Sequence, residues 1–268
     1  MRSILRLPGV VMLASMVCRA LAGPPACPVR PGEQPGMLMP SRPSTAQIQA
    51  TAAAGAADPT VLLAAEPLPN FGVARFRITD YADCAGGNGC YWADLDAQTK
   101  RAAAALDRVL AARRPGERLA MVLDIDETSL ANYCELKRDA FGAIQPMFNE
   151  WLVSPEASMA IPGTLALFNK ARAAGVDVFF ITGRSDEMRA ATERNLEAAG
   201  YKGWKGLSLR VGPQKQMATI EYKSGERRKI VDAGYRIVMS VGDQWSDLMG
   251  EPKAEISVKL PNPFYYLP

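Results

Sequence analysis

The stretch LAMVLDIDET, residues 119–128, decides the fold, because an apolar run leads directly into a cluster of acids. A short apolar run without alternating polar positions is typical of a strand buried on both faces of a parallel sheet. Three further runs, the last one weaker, span residues 176–181, 237–241 and 207–211. The first two of these also end in polar residues, TGR at 182–184 and GDQWSD at 242–247.

Helical stretches separate these runs and are predicted at roughly residues 162–174, 185–199 and 224–234. Short apolar strands that alternate with amphipathic helices indicate right-handed crossovers between parallel strands. We therefore predict an α/β fold, a doubly wound parallel sheet with helices on both faces. Upstream, residues 91–114 have helical periodicity, and the pair Pro115-Gly116 ends that helix.

The polar ends of these runs are expected to meet, because the carboxyl ends of parallel strands share one edge of the sheet. Asp124, Asp126, Asp243 and Asp247 would then bring four carboxylates to one site. Like charges at such range oppose joint ionisation, and a divalent cation resolves that conflict. Since the donors are oxygens, without imidazole or thiolate, the sequence predicts Mg²⁺ rather than zinc.

The same edge offers a set of groups that suits phosphate. Lys223 supplies a positive charge, Thr182 a hydroxyl, and Thr128 with its loop amides further donors. Asp124 can form an aspartyl-phosphate, and Asp126 can reach the leaving oxygen as a general acid. A lone DxD or GDxxxD is a weak signal that also occurs in loops and helix caps, whereas the ordered set is specific.

The composition narrows the chemistry further. The chain has 268 residues, of which 48% are hydrophobic and 22% charged, and it contains no histidine. The lack of histidine excludes a Ser-His-Asp triad, a histidine nucleophile and a His-ligated zinc site. The formal net charge is +3, and residues 1–22 carry three arginines and no acid, so the rest of the chain is neutral. A neutral chain gives no electrostatic reason to expect a nucleic-acid polymer as a partner.

Residues 1–22 are predicted to be a secretory signal peptide. They begin with basic residues, continue with an apolar run too short to span a bilayer, and end on small residues before cleavage after Ala22. In an alternative lipoprotein signal Cys18 would carry the lipid, but the bulky Val17 precedes it. No later segment is apolar for long enough to be transmembrane. The mature protein is therefore expected to be exported, to the periplasm or beyond the cell.

Export favours disulfides for the four cysteines that remain. Cys84 and Cys90 flank a glycine-rich loop that closes easily and are the preferred pair, which leaves Cys27 for Cys134. A metal site is the alternative, but thiols without a CxxC pair suit zinc poorly. Residues 23–75 are rich first in proline and then in alanine, and they are predicted to form a partly helical N-terminal extension.

In their order, the motifs resemble those of the haloacid dehalogenase-like (HAD) superfamily of phosphohydrolases, and more narrowly its subfamily IIIB acid phosphatases. That subfamily includes plant acid phosphatases and the related vegetative storage proteins. The matching stretches are LDIDET (123–128), TGR (182–184), YKS (222–224), GYRI (234–237), VGDQWSDL (241–248) and KLPNPFYY (259–266). The resemblance covers about residues 80–268 and implies a Rossmann-like HAD fold for a phosphatase domain predicted at residues 76–268.

The resemblance implies catalytic roles for the matching residues. Asp124 would be the nucleophile, and Asp126 would protonate the leaving alcohol and then activate water. Thr182, Gly183 and Lys223 would hold the phosphoryl group.

The resemblance also implies a Mg²⁺ site. Its ligands would be the Asp124 carboxylate, the Asp126 carbonyl and Asp243. Asp247 would lie behind the ligands or pair with the lysine, and Thr128 would lie behind them as well.

Residues 129–160 are predicted to form a small cap inserted after the first motif. The cap holds four aromatic side chains, Tyr133, Phe141, Phe148 and Trp151, which either line the substrate site or form the core of the cap. Tyr133 and Arg184 are the candidates for substrate contact, and pairing with a nearby carboxylate is the alternative for Arg184.

These features predict an exported, Mg²⁺-dependent acid phosphatase that hydrolyses small phosphomonoesters through an aspartyl-phosphate. The first alternative is a storage or binding protein on the same scaffold, although the intact set of aspartates weighs against it. A receiver-type signalling domain is disfavoured by export and by Asp126. A phosphotransferase would keep the same chemistry and pass the phosphoryl group to an acceptor alcohol.

Overall fold

The computed structural model describes residues 23–30, 44–60, 70–85, 87, 89–142 and 144–267. The predicted signal peptide, with Cys18, lies outside these residues. The strands of the described part are β1 (Leu119–Leu123), β2 (Asp177–Ser185), β3 (Gly206–Arg210), β4 (Arg236–Gly242) and β5 (Ile256–Lys259). The helices are α1 (Thr45–Ala57), α2 (Phe71–Ala82), α3 (Tyr91–Ala111), α4 (Tyr133–Arg138), α5 (Gln145–Val153), α6 (Pro162–Ala173), α7 (Arg189–Ala198) and α8 (Thr219–Asp232).

The strands form one parallel sheet in the order β3-β2-β1-β4-β5. From the central β1 the chain moves outward through β2 and β3, and it then returns to the other side of β1 with β4 and β5. The direction of winding therefore reverses beside β1, and ligands of open parallel sheets bind at such a reversal. The predicted doubly wound α/β fold is confirmed.

The side chains of β1 show why both faces of the sheet are covered. Leu119, Met121 and Leu123 belong to the larger core, which also contains buried residues of α3 and α6. Ala120 and Val122 point the other way and pack in a second cluster with residues of α8. Because successive strand residues face opposite sides, a continuous apolar run fills two cores at once.

Several element boundaries differ from those predicted. β2 continues through the TGR motif to Ser185, α7 begins only at Arg189, and α8 begins at Thr219 rather than at residue 224. The short edge strand β5 was not predicted, because Val258 is its only buried residue and no apolar run marks it.

Both predicted disulfides are present, Cys84–Cys90 and Cys27–Cys134. The second joins the N-terminal segment 23–30 to α4, within the predicted cap. Arg30 of that segment binds Glu135 of α4 through Nη2 and Oε2 at 2.9 Å. Among the described residues no helix combines the length and apolarity that a membrane crossing requires.

Candidate active site

Two neighbouring strands deliver the main carboxylates. Asp124 follows β1 directly, and its backbone N–H donates to the Val241 carbonyl of β4 at 3.0 Å. Asp243 follows β4 directly, so the two carboxylates leave adjacent strands at the same edge. The convergence predicted from the parallel sheet is therefore present, at the point where the winding reverses.

Lys223, in α8, lies between two of the aspartates. Its Nζ is 2.5 Å from Asp124 Oδ1 and also donates to Asp247 Oδ1. All three side chains are buried. Burial by itself would lower the pKa of Lys223, but the charges of Asp124 and Asp247 outweigh burial and raise it. The lysine is thus a fixed positive charge in the floor of the site.

The carboxylates of Asp124, Asp243 and Asp247 form a cluster whose nearest oxygens all lie within 4.8 Å of one another. Burial, together with the neighbouring carboxylates, raises the pKa of Asp124 well above its usual value, and burial and Asp247 raise that of Asp243. One lysine therefore does not compensate the negative charge of this cluster. A set of oxygen donors with excess negative charge fits a hard divalent cation.

Asp126 is held by partners on two sides. Arg184 Nη2 donates to its Oδ1 at 2.7 Å, Arg184 Nε to its Oδ2 at 3.0 Å, and Asn132 Nδ2 to its Oδ1 at 2.8 Å. Burial would raise the pKa of Asp126, but the charge and hydrogen bonds of Arg184 outweigh it and hold the pKa below the usual value. Arg184 therefore pairs with a carboxylate, and it also lines the cavity described below.

Glu127 is a buried acid for which the sequence predicts no role. Its backbone has φ of +52°, its Oε1 accepts from the Asn132 N–H at 2.7 Å, and its Oε2 accepts from the Tyr265 hydroxyl. Burial, with the charges of Asp126 and Asp243, raises its pKa to about 8. The signal available in the sequence was the third acid in DIDET, but its partner from the C-terminal tail could not be identified from local pattern.

The C-terminal tail, residues 260–267, crosses the site and fixes Asp243. Asn262 Nδ2 and Gln244 Nε2 both donate to Asp243 Oδ2 at 2.7 Å, and the Thr128 hydroxyl donates to Oδ1 at 2.9 Å. The Thr128 hydroxyl is therefore a hydrogen-bond partner of Asp243. Asn262 and Gln244 belong to motifs that carried the resemblance, although no role had been given to them.

A cavity of about 640 Å³ opens above these groups. Its polar end is lined by Asp124, Asp126, Asp243, Asp247 and Lys223. Its aromatic wall includes Phe141 and Phe148 of the cap and Phe264 of the tail. Phe141 stacks on Phe264, with ring centroids 5.4 Å apart and an interplanar angle of 4°.

The remaining predicted residues divide between the cavity and its surroundings. Gly183 and Arg184 line the cavity, whereas Thr182 and Tyr133 are not among the described residues that do so. The Thr182 hydroxyl accepts from the Arg184 N–H at 3.2 Å, and the Tyr133 hydroxyl donates to Asp83. Of the four cap aromatics, Tyr133 and Trp151 are fully buried in the core, while Phe141 and Phe148 face the cavity.

Known proteins similar to this chain include both phosphatases and storage proteins. The chain is 38% identical over 152 residues to the stem 28 kDa glycoprotein of Glycine max, which is 54% of this chain and 59% of that protein. It is 37% identical over 149 residues to acid phosphatase 1 of Solanum lycopersicum (54% and 58%). It is 33% identical over 150 residues to vegetative storage protein 1 of Arabidopsis thaliana (55% and 55%). The matches thus span less than two thirds of these relatives.

The fold is similar to that of the class C acid phosphatase from Bacillus anthracis, with a TM-score of 0.57 and 24% identity over 72% of this chain and 84% of that one. A structure of that phosphatase with tungstate bound gives a TM-score of 0.55 and 22% identity, over 72% of this chain and 86% of that one. The pattern of the HAD superfamily, subfamily IIIB (acid phosphatase), matches residues 49–268. Because that match spans most of the chain, the protein belongs to the acid phosphatase subfamily, IIIB, of the HAD superfamily.

Proposed function

We propose that this protein is a phosphomonoesterase that uses Asp124 as its nucleophile. The observation that carries the proposal is the position of Asp124 at the polar end of the cavity, beside the buried cation Lys223 and close to a second, separately held acid, Asp126. A carboxylate nucleophile requires neutralisation of the incoming phosphoryl charge, and Lys223 supplies a positive charge there.

In the proposed first step, an Asp124 oxygen attacks phosphorus while the bond from phosphorus to the ester oxygen breaks. Asp126 acts here in its protonated form, which only acidic solution populates because Arg184 holds its pKa below the usual value. It gives its proton to the leaving oxygen, so that an alcohol departs and an aspartyl-phosphate remains. In the second step Asp126 takes a proton from water, whose oxygen attacks phosphorus and releases phosphate from Asp124. Gly183 and Lys223, which line the cavity, would bind the phosphoryl oxygens.

The carboxylates of Asp124 and Asp243, with the Asp126 carbonyl, would hold a Mg²⁺ ion. When bound, the ion would neutralise phosphoryl charge and orient the phosphate. The cluster of Asp124, Asp243 and Asp247 supports a divalent cation there, since its three carboxylates lie close together and Lys223 donates to two of them, Asp124 and Asp247. Phosphomonoesters small enough for a cavity of about 640 Å³ are the proposed substrates.

We also infer that the mature protein is exported. The two disulfides support this inference, because such bonds persist in oxidising compartments. The predicted signal peptide provides the route.

The test is hydrolysis of p-nitrophenyl phosphate by the purified chain, with Mg²⁺ and with EDTA. We expect turnover with Mg²⁺, its loss with EDTA, and a fall of at least about 10³-fold for Asp124→Asn. Normal turnover by Asp124→Asn would contradict the proposal.

A storage or binding protein is the second candidate, because two of the similar proteins carry the name vegetative storage protein. It predicts no turnover by the wild type under any of these conditions. A phosphotransferase predicts a phosphorylated acceptor when a nucleoside is added, and product analysis separates that outcome from hydrolysis.

A further inference from the structure

Asn132 joins the general acid to the interior of the cap. It is fully buried and lies just before α4, at the start of the cap. Its Nδ2 donates to Asp126 Oδ1 at 2.8 Å and lies 3.3 Å from Glu127 Oε2. Its Oδ1 accepts from Trp151 Nε1, in α5, at 2.9 Å. Every polar atom of this amide side chain therefore has a partner within the protein.

The orientation of the amide group follows from the chemistry of its partners. The indole N–H of Trp151 can only donate, so the amide oxygen must face it. The Asp126 carboxylate, which Arg184 contacts at both oxygens, accepts, so the NH₂ group must face it. A flipped amide would oppose donor to donor and acceptor to acceptor, and the network thus permits one arrangement only.

The anchors of Trp151 lie outside the site. The buried ring lies close to two guanidinium groups, with Arg30 Cζ 5.6 Å and Arg138 Cζ 5.7 Å from its centroid. Arg30 belongs to the N-terminal segment that Cys27 ties to α4. The position of the Asn132 amide is therefore set by the packing of the cap and not by the flexible rotamers of a surface side chain.

We propose that Asn132 is a positioning residue that aims the Asp126 carboxyl group at the leaving oxygen of the substrate. The inference rests on the proposed role of Asp126 as the general acid. Arg184 contacts both oxygens of Asp126 from one side, and Asn132 fixes Oδ1 from the other. Without the Asn132 amide, the Asp126 carboxyl group would keep its two hydrogen bonds from Arg184 and lose the hydrogen bond that fixes its orientation.

A positioning role has a signature that a structural role lacks. The proton from Asp126 matters most when the departing alkoxide is strongly basic, and least when the leaving group is stable without it. The value of kcat/KM reports only the steps up to formation of the aspartyl-phosphate, so it excludes the later attack of water. Misplacement of Asp126 should therefore lower kcat/KM selectively for substrates with poor leaving groups.

The experiment measures kcat/KM of the full chain in Mg²⁺ on two substrates. Glycerol 2-phosphate has a poor leaving group, and 2,4-dinitrophenyl phosphate has a good one. For Asn132→Ala we expect kcat/KM to fall about 10- to 100-fold on the first substrate and less than about 3-fold on the second. Equal losses on both substrates, or no loss, would overturn the inference.

Trp151→Phe keeps the aromatic ring and removes the N–H that orients the amide, so it should show the same selectivity with a smaller loss, about 3- to 10-fold. Trp92→Phe is the matched control, because the Trp92 N–H donates to the Ala82 carbonyl at 3.0 Å, away from the cavity. We expect Trp92→Phe to behave as the wild type on both substrates. A selective loss in Trp92→Phe, or none in Trp151→Phe, would contradict the proposed route through Asn132.

Asp126→Ala, measured on the same two substrates, separates failure of the inference from failure of the proposed function. A strong selective loss for Asp126→Ala with a uniform loss for Asn132→Ala would overturn only the role of Asn132. A uniform loss for Asp126→Ala, or a wild type without turnover, would overturn the proposed function itself.

Discussion

Lys223 lies in the candidate active site, and we expect it to contribute to the stability of the fold as well. It is a buried ammonium group with two buried carboxylates as partners, Asp124 and Asp247. Removing one partner of a buried ion pair leaves uncompensated charge in the interior, which costs about 3–5 kcal/mol. We therefore expect Lys223→Met to lower the free energy of unfolding by about that amount, as measured by urea denaturation in EDTA.

Lys253→Met is the matched control for this substitution. Lys253 is exposed and lies 3.8 Å from the exposed Glu251, and surface pairs contribute about 0–1 kcal/mol. Equal unfolding free energies for Lys223→Met and the wild type would mean that the buried lysine is not a structural cation. Activity on aryl phosphates should fall with Lys223→Met and persist with Lys253→Met.

At the scale of elements, the packing of α3 on α6 depends on one glycine. A Cβ atom at Gly163 of α6 would lie 2.0 Å from Thr99 Oγ1 and 2.9 Å from Thr99 Cβ of α3. The helices must separate to admit it, since both lie over the larger core. We expect Gly163→Ala to lower the free energy of unfolding by about 1–3 kcal/mol.

Gly225→Ala is the control on another helix, because a Cβ atom there meets no atom within 4 Å. Alanine is a better helix former than glycine, so this substitution should raise the free energy of unfolding by up to about 1 kcal/mol. Adding Thr99→Ala to Gly163→Ala should recover part of the loss, since the closest contact disappears. Additive losses in that double variant would contradict the steric explanation.

The elements that could be predicted from the sequence are those whose burial produces a continuous or periodic pattern of apolar residues along the chain. β1, β2 and β4 are continuous apolar runs, and their parallel arrangement brings Asp124 and Asp243 together. β5 has no such run, because an edge strand buries little. Hydrophobic periodicity does not mark the start of α8 at Thr219, because the next two residues, Ile220 and Glu221, are exposed.

The predicted and unpredicted parts of the site differ in the same way. Asp124 could be found because it directly follows a strand, and Lys223 could be found from its motif and its place in the order of the motifs. The contacts of Glu127 with Tyr265, and of Asn132 with Trp151, join segments distant in sequence through side-chain orientation. No periodicity encodes such contacts, so they appear only once the tail and the cap are folded over the sheet.

At the scale of the whole molecule, three parts of the chain meet at the cavity: the sheet, the predicted cap and the C-terminal tail. The sheet supplies the carboxylates, the cap supplies Phe141 and Phe148, and the tail supplies Phe264 and the amide of Asn262. The larger core contains buried residues of both the sheet and the predicted cap, and the predicted cap is also tied from outside by the segment around Cys27. We therefore expect the position of the predicted cap above the polar end of the cavity to depend on a covalent link that lies outside the sheet.

The two disulfides should consequently differ in their contribution to stability. Cys27–Cys134 joins residues 107 positions apart, and Cys84–Cys90 joins residues only 6 positions apart. Because a cross-link restricts the unfolded chain more when it closes a longer loop, the first should contribute about 4–5 kcal/mol and the second about 2 kcal/mol. We expect Cys27→Ala/Cys134→Ala to lower the urea midpoint more than Cys84→Ala/Cys90→Ala, measured without reductant. Since the second pair is the matched control for loss of a disulfide, equal shifts, or a larger shift in that pair, would show that the N-terminal segment does not secure the cap.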